Sequence, residues 1–120
     1  MKKIVLVTGG AYCGKTHFIN EKFLPDENIT VISNLDELCK DKLVKLKDGY
    51  NSDELIDSII ADASSKDILI IEAREIGAGI VPADKFDRNY RDKFGELCNK
   101  IAGMSDEVYR VVCGIGIKIK

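Results

Sequence analysis

The residues best suited to chemistry lie near the start of the chain, in the stretch VTGGAYCGKT. Gly9 is followed by four residues and then by Gly14, Lys15 and Thr16. An apolar run precedes this spacing and a helix-compatible segment follows it, which is typical of a phosphate-binding loop. Such glycines let successive backbone amides turn toward phosphate oxygens. We therefore predict a nucleotide-binding loop made of Gly9, Gly10, Ala11, Tyr12, Cys13, Gly14, Lys15 and Thr16, called the phosphate loop below.

The residue types of this loop suggest individual roles. Lys15 is predicted to be catalytic, because its ammonium group would neutralise the β- and γ-phosphate oxygens. The Thr16 hydroxyl would bind Mg²⁺. The alternative reading is a tight glycine turn with a surface lysine, which the placement between an apolar run and a helix disfavours.

A second group of polar residues follows the apolar run DILIIE. Loops that leave the carboxyl end of a buried strand are where ligands bind in parallel sheets. Glu72, which closes this run, is predicted to be the second metal ligand. Glu75 is predicted to be a catalytic residue that orients the hydroxyl group to which a phosphoryl group would be transferred. Arg74 lies between them. Each of the three side chains taken alone reads equally well as a solvated surface charge.

The elements that position these residues alternate along the chain. Short apolar runs predict strands at 4–8, 29–33, 67–72 and 107–113, and the final GIGIKIK is predicted to fold back as an antiparallel edge strand. Helices are predicted from Lys15 to Pro25, from Asn34 to Gly49, after Asn51 and over 84–103. The pattern predicts an α/β fold: a three-layer sandwich with a mainly parallel sheet, of the P-loop nucleotide-binding (Rossmann-like) type, in one domain spanning 1–120. The aromatics of the last helix, Phe86, Tyr90 and Phe94, are predicted to be core residues.

Composition excludes several classes of function. Hydrophobic residues make up 45% and charged residues 32% of the chain, and the net charge is only -2. This balance gives no concentrated basic face for nucleic acid or an anionic membrane. The apolar run near the N-terminus is too short for a signal peptide or a membrane span, so we expect a cytoplasmic protein. Four widely spaced cysteines and one histidine favour free thiols over a zinc site.

The second half of the chain resembles the bifunctional adenosylcobinamide kinase/adenosylcobinamide-phosphate guanylyltransferase family of cobalamin biosynthesis. VTGGAYCGKT is also similar to that family's phosphate loop, which usually reads TGGxRSGKS. The similarity covers the first twenty and the last forty-six residues of the chain. The matching positions in the second half are Glu75, Gly77, Gly79 to Pro82, Arg91, Asp92, Gly95, Asn99, Ala102, Asp106 to Val108 and Val111 to Ile115.

The resemblance implies two reactions, a homo-oligomer and a corrinoid substrate. Family members phosphorylate a hydroxyl of adenosylcobinamide with ATP or GTP, and then transfer GMP to that phosphate through a guanylylated histidine. This chain departs from the family at the only histidine, His17, which does not match the guanylyl acceptor. Tyr12 and Cys13 replace the usual Arg-Ser pair, and the histidine-bearing middle portion has no recognisable counterpart between Ile29 and Lys66. Guanylyl transfer by the family's route is therefore not expected.

Three hypotheses remain open on the sequence alone. The first is a shortened Mg²⁺-dependent kinase acting on adenosylcobinamide or a related small molecule, with Gly77 to Pro82 shaping the acceptor side. The second is a nucleotide-binding accessory or regulatory protein that performs no chemistry. The third is a P-loop kinase of another small substrate. ATP and GTP stay as alternatives, because no base-reading motif such as NKxD is present.

Overall fold

Five strands form one mostly parallel sheet in the computed structural model, which describes residues 3–10, 14–23, 28–63, 67–74 and 85–120. The strands lie in the order β2-β3-β1-β4-β5. Their bounds are β1 Lys3–Gly9, β2 Ile29–Ile32, β3 Ile68–Arg74, β4 Glu107–Val112 and β5 Ile115–Lys118. Only the β4–β5 pair is antiparallel. The predicted parallel α/β fold, including its antiparallel edge strand, is confirmed.

Four helices connect the strands. Their bounds are α1 Lys15–Lys22, α2 Leu35–Leu46, α3 Ser52–Asp62 and α4 Lys85–Met104, and a short 3-10 helix, Lys47–Gly49, follows α2. Within the described ranges, no helix is both long and apolar enough to cross a membrane.

Local signals in the sequence set the helix starts. The side chain of Asn51 caps α3 by accepting hydrogen bonds from the backbone N–H groups of Asp53 at 2.9 Å and Glu54 at 3.4 Å. Such a cap satisfies amides that have no partner inside the helix. Asn34 occupies the corresponding position before α2, but its side chain makes no capping hydrogen bond. Of the two asparagines that precede predicted helices, Asn51 therefore forms a side-chain cap and Asn34 does not.

The two faces of the sheet are covered unequally. Helices α2, α3 and α4 cover one face, the three-helix side, where Phe94, Leu97 and Ile101 of α4 are buried against Ile4 and Leu6 of β1. Helix α1 covers the other face, the one-helix side. The buried residues of this one-helix side are Val5, Val7, Ile19, Ile70, Tyr109 and Val111, and Phe18 and Phe23 pack against them.

Three details differ from the sequence-based prediction. Helix α1 ends at Lys22, with Phe23 as its C-cap, rather than at Pro25, which lies outside the described residues. Strand β3 continues past Glu72 because its pairing with β1 extends to Arg74. The prediction of Phe86 as a core residue is wrong: it is 37% exposed, since it lies in the first turn of α4 beside a groove, while Phe94 two turns later is buried.

Candidate functional site

The phosphate loop begins at the centre of the sheet. Strand β1 is hydrogen-bonded to β3 on one side and to β4 on the other, and all three run parallel. Their carboxyl ends therefore meet at one edge, which is where ligands bind in open α/β sheets. The described part of the loop consists of Gly9, Gly10 and residues 14–16; the predicted Ala11, Tyr12 and Cys13 lie outside the described residues.

Gly14 starts helix α1 in a conformation that favours glycine. Its φ of 90° is left-handed, and its carbonyl accepts a hydrogen bond of 3.0 Å from the N–H of Phe18. The first turn of α1 contains no acidic residue. The amide end of a helix carries positive partial charge and attracts anions. This helix start therefore suits a phosphate group.

Lys15 is the buried charge of the site. Lys15 lies in the first turn of α1 and is only 8% exposed. Its Nζ donates hydrogen bonds to the carbonyl oxygens of Gly10 at 2.9 Å and Gly9 at 3.3 Å. These contacts hold the ammonium group against the loop. Thr16, next along the helix, is exposed.

Glu72 lies on the strand beside β1. It is paired with Val7, and in a parallel sheet paired residues point to the same face. Val7 belongs to the one-helix side, so the half-buried Glu72 side chain lies on the face that α1 covers. The structure thus places Glu72 and Thr16 on the same side of the sheet near its carboxyl edge. Exposed Arg74 ends β3 opposite Gly9, whereas Glu75 lies outside the described residues.

The described residues contain no group of three or more His, Cys, Asp or Glu side chains that could hold a metal ion. Mg²⁺ does not demand such a group, because it binds through one or two protein oxygens together with water and substrate phosphates. A hydroxyl at Thr16 and a carboxylate at Glu72 are hard oxygen ligands of this kind. The donor atoms of these two side chains are therefore of the chemical kind that Mg²⁺ takes.

Three further reactive side chains of the described residues, His17, Cys39 and Cys98, lie apart from the phosphate loop or have low reactivity. His17 is exposed and pairs with Glu21, with 3.1 Å between Nε2 and Oε1. Burial raises the pKa of the Cys98 thiol to about 12. Burial also raises the pKa of Cys39, although the hydrogen bond with the Tyr50 hydroxyl opposes the shift. High thiol pKa values disfavour the reactive thiolate, so these two cysteines are poor nucleophiles.

A separate groove of about 600 Å³ runs between α2 and α4. Leu43, Val44 and Phe86 give it an apolar lining, and Lys47 and Lys93 are among its polar residues. No described residue of the phosphate loop lines it. The groove is therefore distinct from the predicted nucleotide site.

The sequence-based reasoning missed one neighbour of the phosphate loop. Cys113 and Gly114 form the turn between β4 and β5, called the hairpin turn below, and their φ values of 50° and 77° are both left-handed. A Cβ placed on Gly14 would lie 2.8 Å from the Cα of Gly114. The hairpin turn therefore touches the start of α1. A hairpin was predicted from the sequence, but its contact with the loop was not, because two glycine backbones leave no side-chain signal.

Comparison with known proteins identifies a family over most of the chain. Residues 19–119 match the family described as "Cobinamide kinase / cobinamide phosphate guanyltransferase". The matched range includes residues 29–66, for which the sequence motifs gave no counterpart. The matched range begins after the phosphate loop, so the family match does not include that loop.

Two curated relatives are similar over part of the chain. Both are named "Bifunctional adenosylcobalamin biosynthesis protein CobU". The Salmonella typhimurium protein is 42% identical over 52 residues, which is 43% of this chain and 29% of that protein. The Escherichia coli protein is 40% identical over 52 residues, with the same shares. The similarity to each relative thus spans less than a third of the relative's length.

Proposed function

The chain belongs to the cobinamide kinase / cobinamide phosphate guanyltransferase family, and from this premise we propose that it is a nucleotide-dependent kinase of a cobinamide. In this proposal the phosphate loop binds ATP or GTP with Mg²⁺, and the γ-phosphoryl group moves to a hydroxyl of adenosylcobinamide. The observation that carries the proposal is Lys15, a buried cation held at the start of α1 beside the loop carbonyls.

The described residues suggest how the loop would act. Lys15 would turn from the carbonyls of Gly9 and Gly10 to the β- and γ-phosphate oxygens and neutralise their charge. The amides at the start of α1 would hold the same phosphates. Thr16 and Glu72 would hold Mg²⁺, which when bound neutralises charge across the β- and γ-oxygens. Phosphoryl transfer needs mainly positioning and charge stabilisation, so this small set of groups suffices.

The transfer itself forms one bond and breaks one. The acceptor oxygen bonds to the γ-phosphorus and its proton passes to solvent water, while the bond from that phosphorus to the bridging oxygen breaks and nucleoside diphosphate leaves with that oxygen. Glu75 is the proposed group that orients the acceptor hydroxyl, with Gly77 to Pro82 beside it. These two assignments rest on the sequence and its family resemblance alone.

A second candidate is a nucleotide-binding accessory or regulatory protein. The observation that favours it is His17, the only histidine of the chain, which is exposed and paired with Glu21 on the outer side of α1. Guanylyl transfer through a histidine therefore has no proposed acceptor here. A homo-oligomer and a cytoplasmic location complete the proposal, and both rest on the arguments from sequence and family.

The test is titration calorimetry of the purified protein with ATP and GTP in the presence of Mg²⁺, followed by incubation with adenosylcobinamide. We expect binding of one or both nucleotides and a phosphorylated corrinoid product. Lys15→Ala should weaken nucleotide binding about a hundred-fold, because it removes the cation expected to contact the phosphates. Lys45→Ala is the control, because Lys45 is an exposed lysine on α2 that pairs along its own helix with Asp41, 3.2 Å away.

Three results distinguish the candidates. Nucleotide binding lost in Lys15→Ala, together with corrinoid phosphorylation, supports the kinase. Nucleotide binding without any corrinoid product at high protein concentration favours the accessory protein. Absence of nucleotide binding in the unaltered protein removes both candidates.

A further inference from the structure

The groove between α2 and α4, called the α2–α4 groove below, has the size and lining of a small-molecule site. Its volume of about 600 Å³ lies within the range of about 300 to 1,000 Å³ that is typical of ligand pockets. Buried Leu43 lines it together with Val44 and Phe86, which are 56% and 37% exposed. A ligand that covers the two exposed side chains removes apolar surface from water, and this burial favours binding.

The charges that line the α2–α4 groove are of one sign. Lys47, which follows α2, and Lys93 of α4 belong to its lining, and none of its lining residues is acidic. Glu96 approaches Lys93 to 4.0 Å, and the same carboxylate group also pairs with Lys100 at 3.6 Å. An exposed pair of this length neutralises little charge. The groove therefore combines apolar surface with positive charge, which is complementary to an anionic ligand.

Tyr50 adds aromatic surface to the groove without adding negative charge. Its hydroxyl forms a hydrogen bond with the Cys39 thiol, with 3.6 Å between Oη and Sγ. Burial, together with the contact to Cys39, raises the pKa of Tyr50 above its ordinary value. The phenol is therefore neutral at physiological pH and does not offset the charge of the two lysines.

The backbone at Lys47 supports a role for this side chain in binding. Its φ of 49° and ψ of -118° lie in a region that glycine adopts readily and other residues rarely adopt. Its carbonyl accepts a hydrogen bond of 3.1 Å from the N–H of Tyr50, which holds the turn that ends α2. Backbone strain of this kind clusters at binding and catalytic sites. A lysine at a position that favours glycine therefore indicates, independently of the charges, that this side chain contacts a ligand.

We propose that the α2–α4 groove binds a small molecule that has a flat apolar body and one anionic group. The apolar body lies between Val44 and Phe86, and the anionic group contacts Lys47 and Lys93. No described residue of the phosphate loop lines this groove. The inference therefore goes beyond the proposed function and does not depend on it.

The test uses two fluorescent probes that differ in charge. Anilinonaphthalene sulfonate carries one anion, and N-phenylnaphthylamine has the same aromatic rings without it. Fluorescence titration of the unaltered protein should show saturable binding of both probes and tighter binding of the sulfonate. Lys47→Ala should weaken sulfonate binding about three- to five-fold, as expected for the loss of one partly solvated charge. The affinity for the neutral probe should change less than about two-fold, because no ion pair is lost.

Matched variants test the apolar and the charged part of the groove separately. Val44→Ala should weaken binding of both probes about three-fold, since it removes two carbons from the apolar surface. Val112→Ala is its control, because Val112 is 43% exposed and does not line the groove. Lys45→Ala is the control for Lys47→Ala, because Lys45 is an exposed lysine of α2 that does not line the groove either. Both controls should leave both affinities unchanged.

A glycine at position 47 separates ligand binding from backbone strain. Lys47→Gly relieves the strained conformation, so its thermal unfolding transition should lie a few degrees above that of Lys47→Ala. Its sulfonate affinity should nevertheless fall as far as that of Lys47→Ala. An unchanged sulfonate affinity in both variants would show that Lys47 acts only on the fold, and it would overturn the proposal. The proposal would equally be overturned by equal losses for the two probes in Lys47→Ala, or by equal losses in Lys47→Ala and Lys45→Ala.

Nucleotide separates this site from the phosphate loop. Sulfonate affinity should change less than about two-fold with saturating ATP and Mg²⁺, and likewise in Lys15→Ala, because the two sites are distinct. Displacement of the sulfonate by ATP would mean that both ligands share one site, and it would overturn the inference. Absence of nucleotide binding would remove the proposed function alone, while the probe titrations would still decide this inference.

Discussion

The two faces of the sheet are stabilised by different means. On the three-helix side, aliphatic side chains of α2, α3 and α4 close a continuous core around Phe94, Leu97 and Ile101. On the one-helix side, a single helix of eight residues packs on the sheet through Phe18, Phe23 and Tyr109, whose ring centroids lie 5.3 to 6.3 Å apart.

Ion pairs lie on the part of the one-helix side that α1 does not cover. Glu107 at the start of β4 pairs with Lys3 of β1 and with Lys118 of β5, the latter at 3.6 Å, and it accepts a hydrogen bond from the Tyr109 hydroxyl. Among the described residues, α1, which carries Lys15 and Thr16, is held by few contacts, while most apolar burial lies on the opposite face of the sheet. Stability and ligand binding should therefore respond to different residues.

The largest effect is expected from Phe94→Ala on the three-helix side. Phe94 is 1% exposed, so the substitution removes a full aromatic side chain from the core. We expect a loss of about 3 to 5 kcal/mol in the free energy of unfolding. Urea unfolding measures this loss, and nucleotide titration of the protein that remains folded should give an unchanged affinity. A strong loss of affinity in the folded fraction would mean that the two faces are not independent.

Compared with Phe94→Ala, we expect Phe18→Ala to cause a smaller loss of stability and a larger loss of nucleotide affinity. Phe18 is only partly buried, so the expected loss is about 2 kcal/mol. The ring holds α1 against β4 and β5, and its removal should also weaken nucleotide binding about ten-fold, because the start of α1 is less well positioned. The same urea and calorimetric measurements apply. Unchanged nucleotide affinity in Phe18→Ala would break the proposed division between the faces.

Two glycine substitutions, one on each side of the sheet, should change the free energy of unfolding in opposite directions. A Cβ at Gly116 would overlap the Phe18 ring, so Gly116→Ala should lower the free energy of unfolding by about 1 to 2 kcal/mol. Gly95 lies within α4, and apart from its chain neighbours and the backbone of α4 no atom of the described residues lies within 4 Å of an added Cβ, so Gly95→Ala should raise the free energy of unfolding by about 0.5 to 1 kcal/mol. Thermal unfolding distinguishes the two. Stabilisation by Gly116→Ala would show that the Phe18 ring moves aside at little cost.

The smallest expected effect is a change in how the free energy of unfolding depends on pH in acid. The partners Lys3 and Tyr109 lower the pKa of Glu107 from 4.5 to about 2. The contribution of this carboxylate is therefore complete above about pH 4.5 and is lost as the pH falls toward 2. Glu107→Gln should flatten part of the decrease in stability over this interval, measured by urea unfolding at several pH values. Asp41→Asn, which removes an exposed pair on α2, is the control and should leave the curve unchanged. Curves of the same shape for Glu107→Gln and the unaltered protein would contradict this account.

The order of helices and strands could be read from the sequence because each element carries its own periodicity. The apolar runs of β1 and β3 and the apolar spacing of α2 and α3 each predicted the correct element. The error at Phe86 has a physical cause: helical spacing identifies the face of a helix that points inward, but not how far along the helix that face remains covered. The order of strands in the sheet is likewise a property of long-range pairing, which local patterns do not contain.

The candidate site was predictable in part for a similar reason. The spacing of Gly9, Gly14 and Lys15 predicted a phosphate loop between a strand and a helix; the described residues lie between β1 and α1, and their binding of a nucleotide stays a prediction. The approach of Gly114 to Gly14 could not be anticipated. The predicted residues 11–13 and Glu75 lie outside the described ranges, so their roles stay predictions.

The central position of β1 also has a consequence for how the protein folds. Val5 pairs with Ile70 on one side and with Glu107 on the other, so the first strand of the chain finds its neighbours only after long stretches of sequence. Pairings between distant parts of a chain form slowly, because a large loop must close before the contact is made. The contact between Gly14, at the start of α1, and Gly114 can therefore form only once the hairpin turn that follows β4 has joined the sheet.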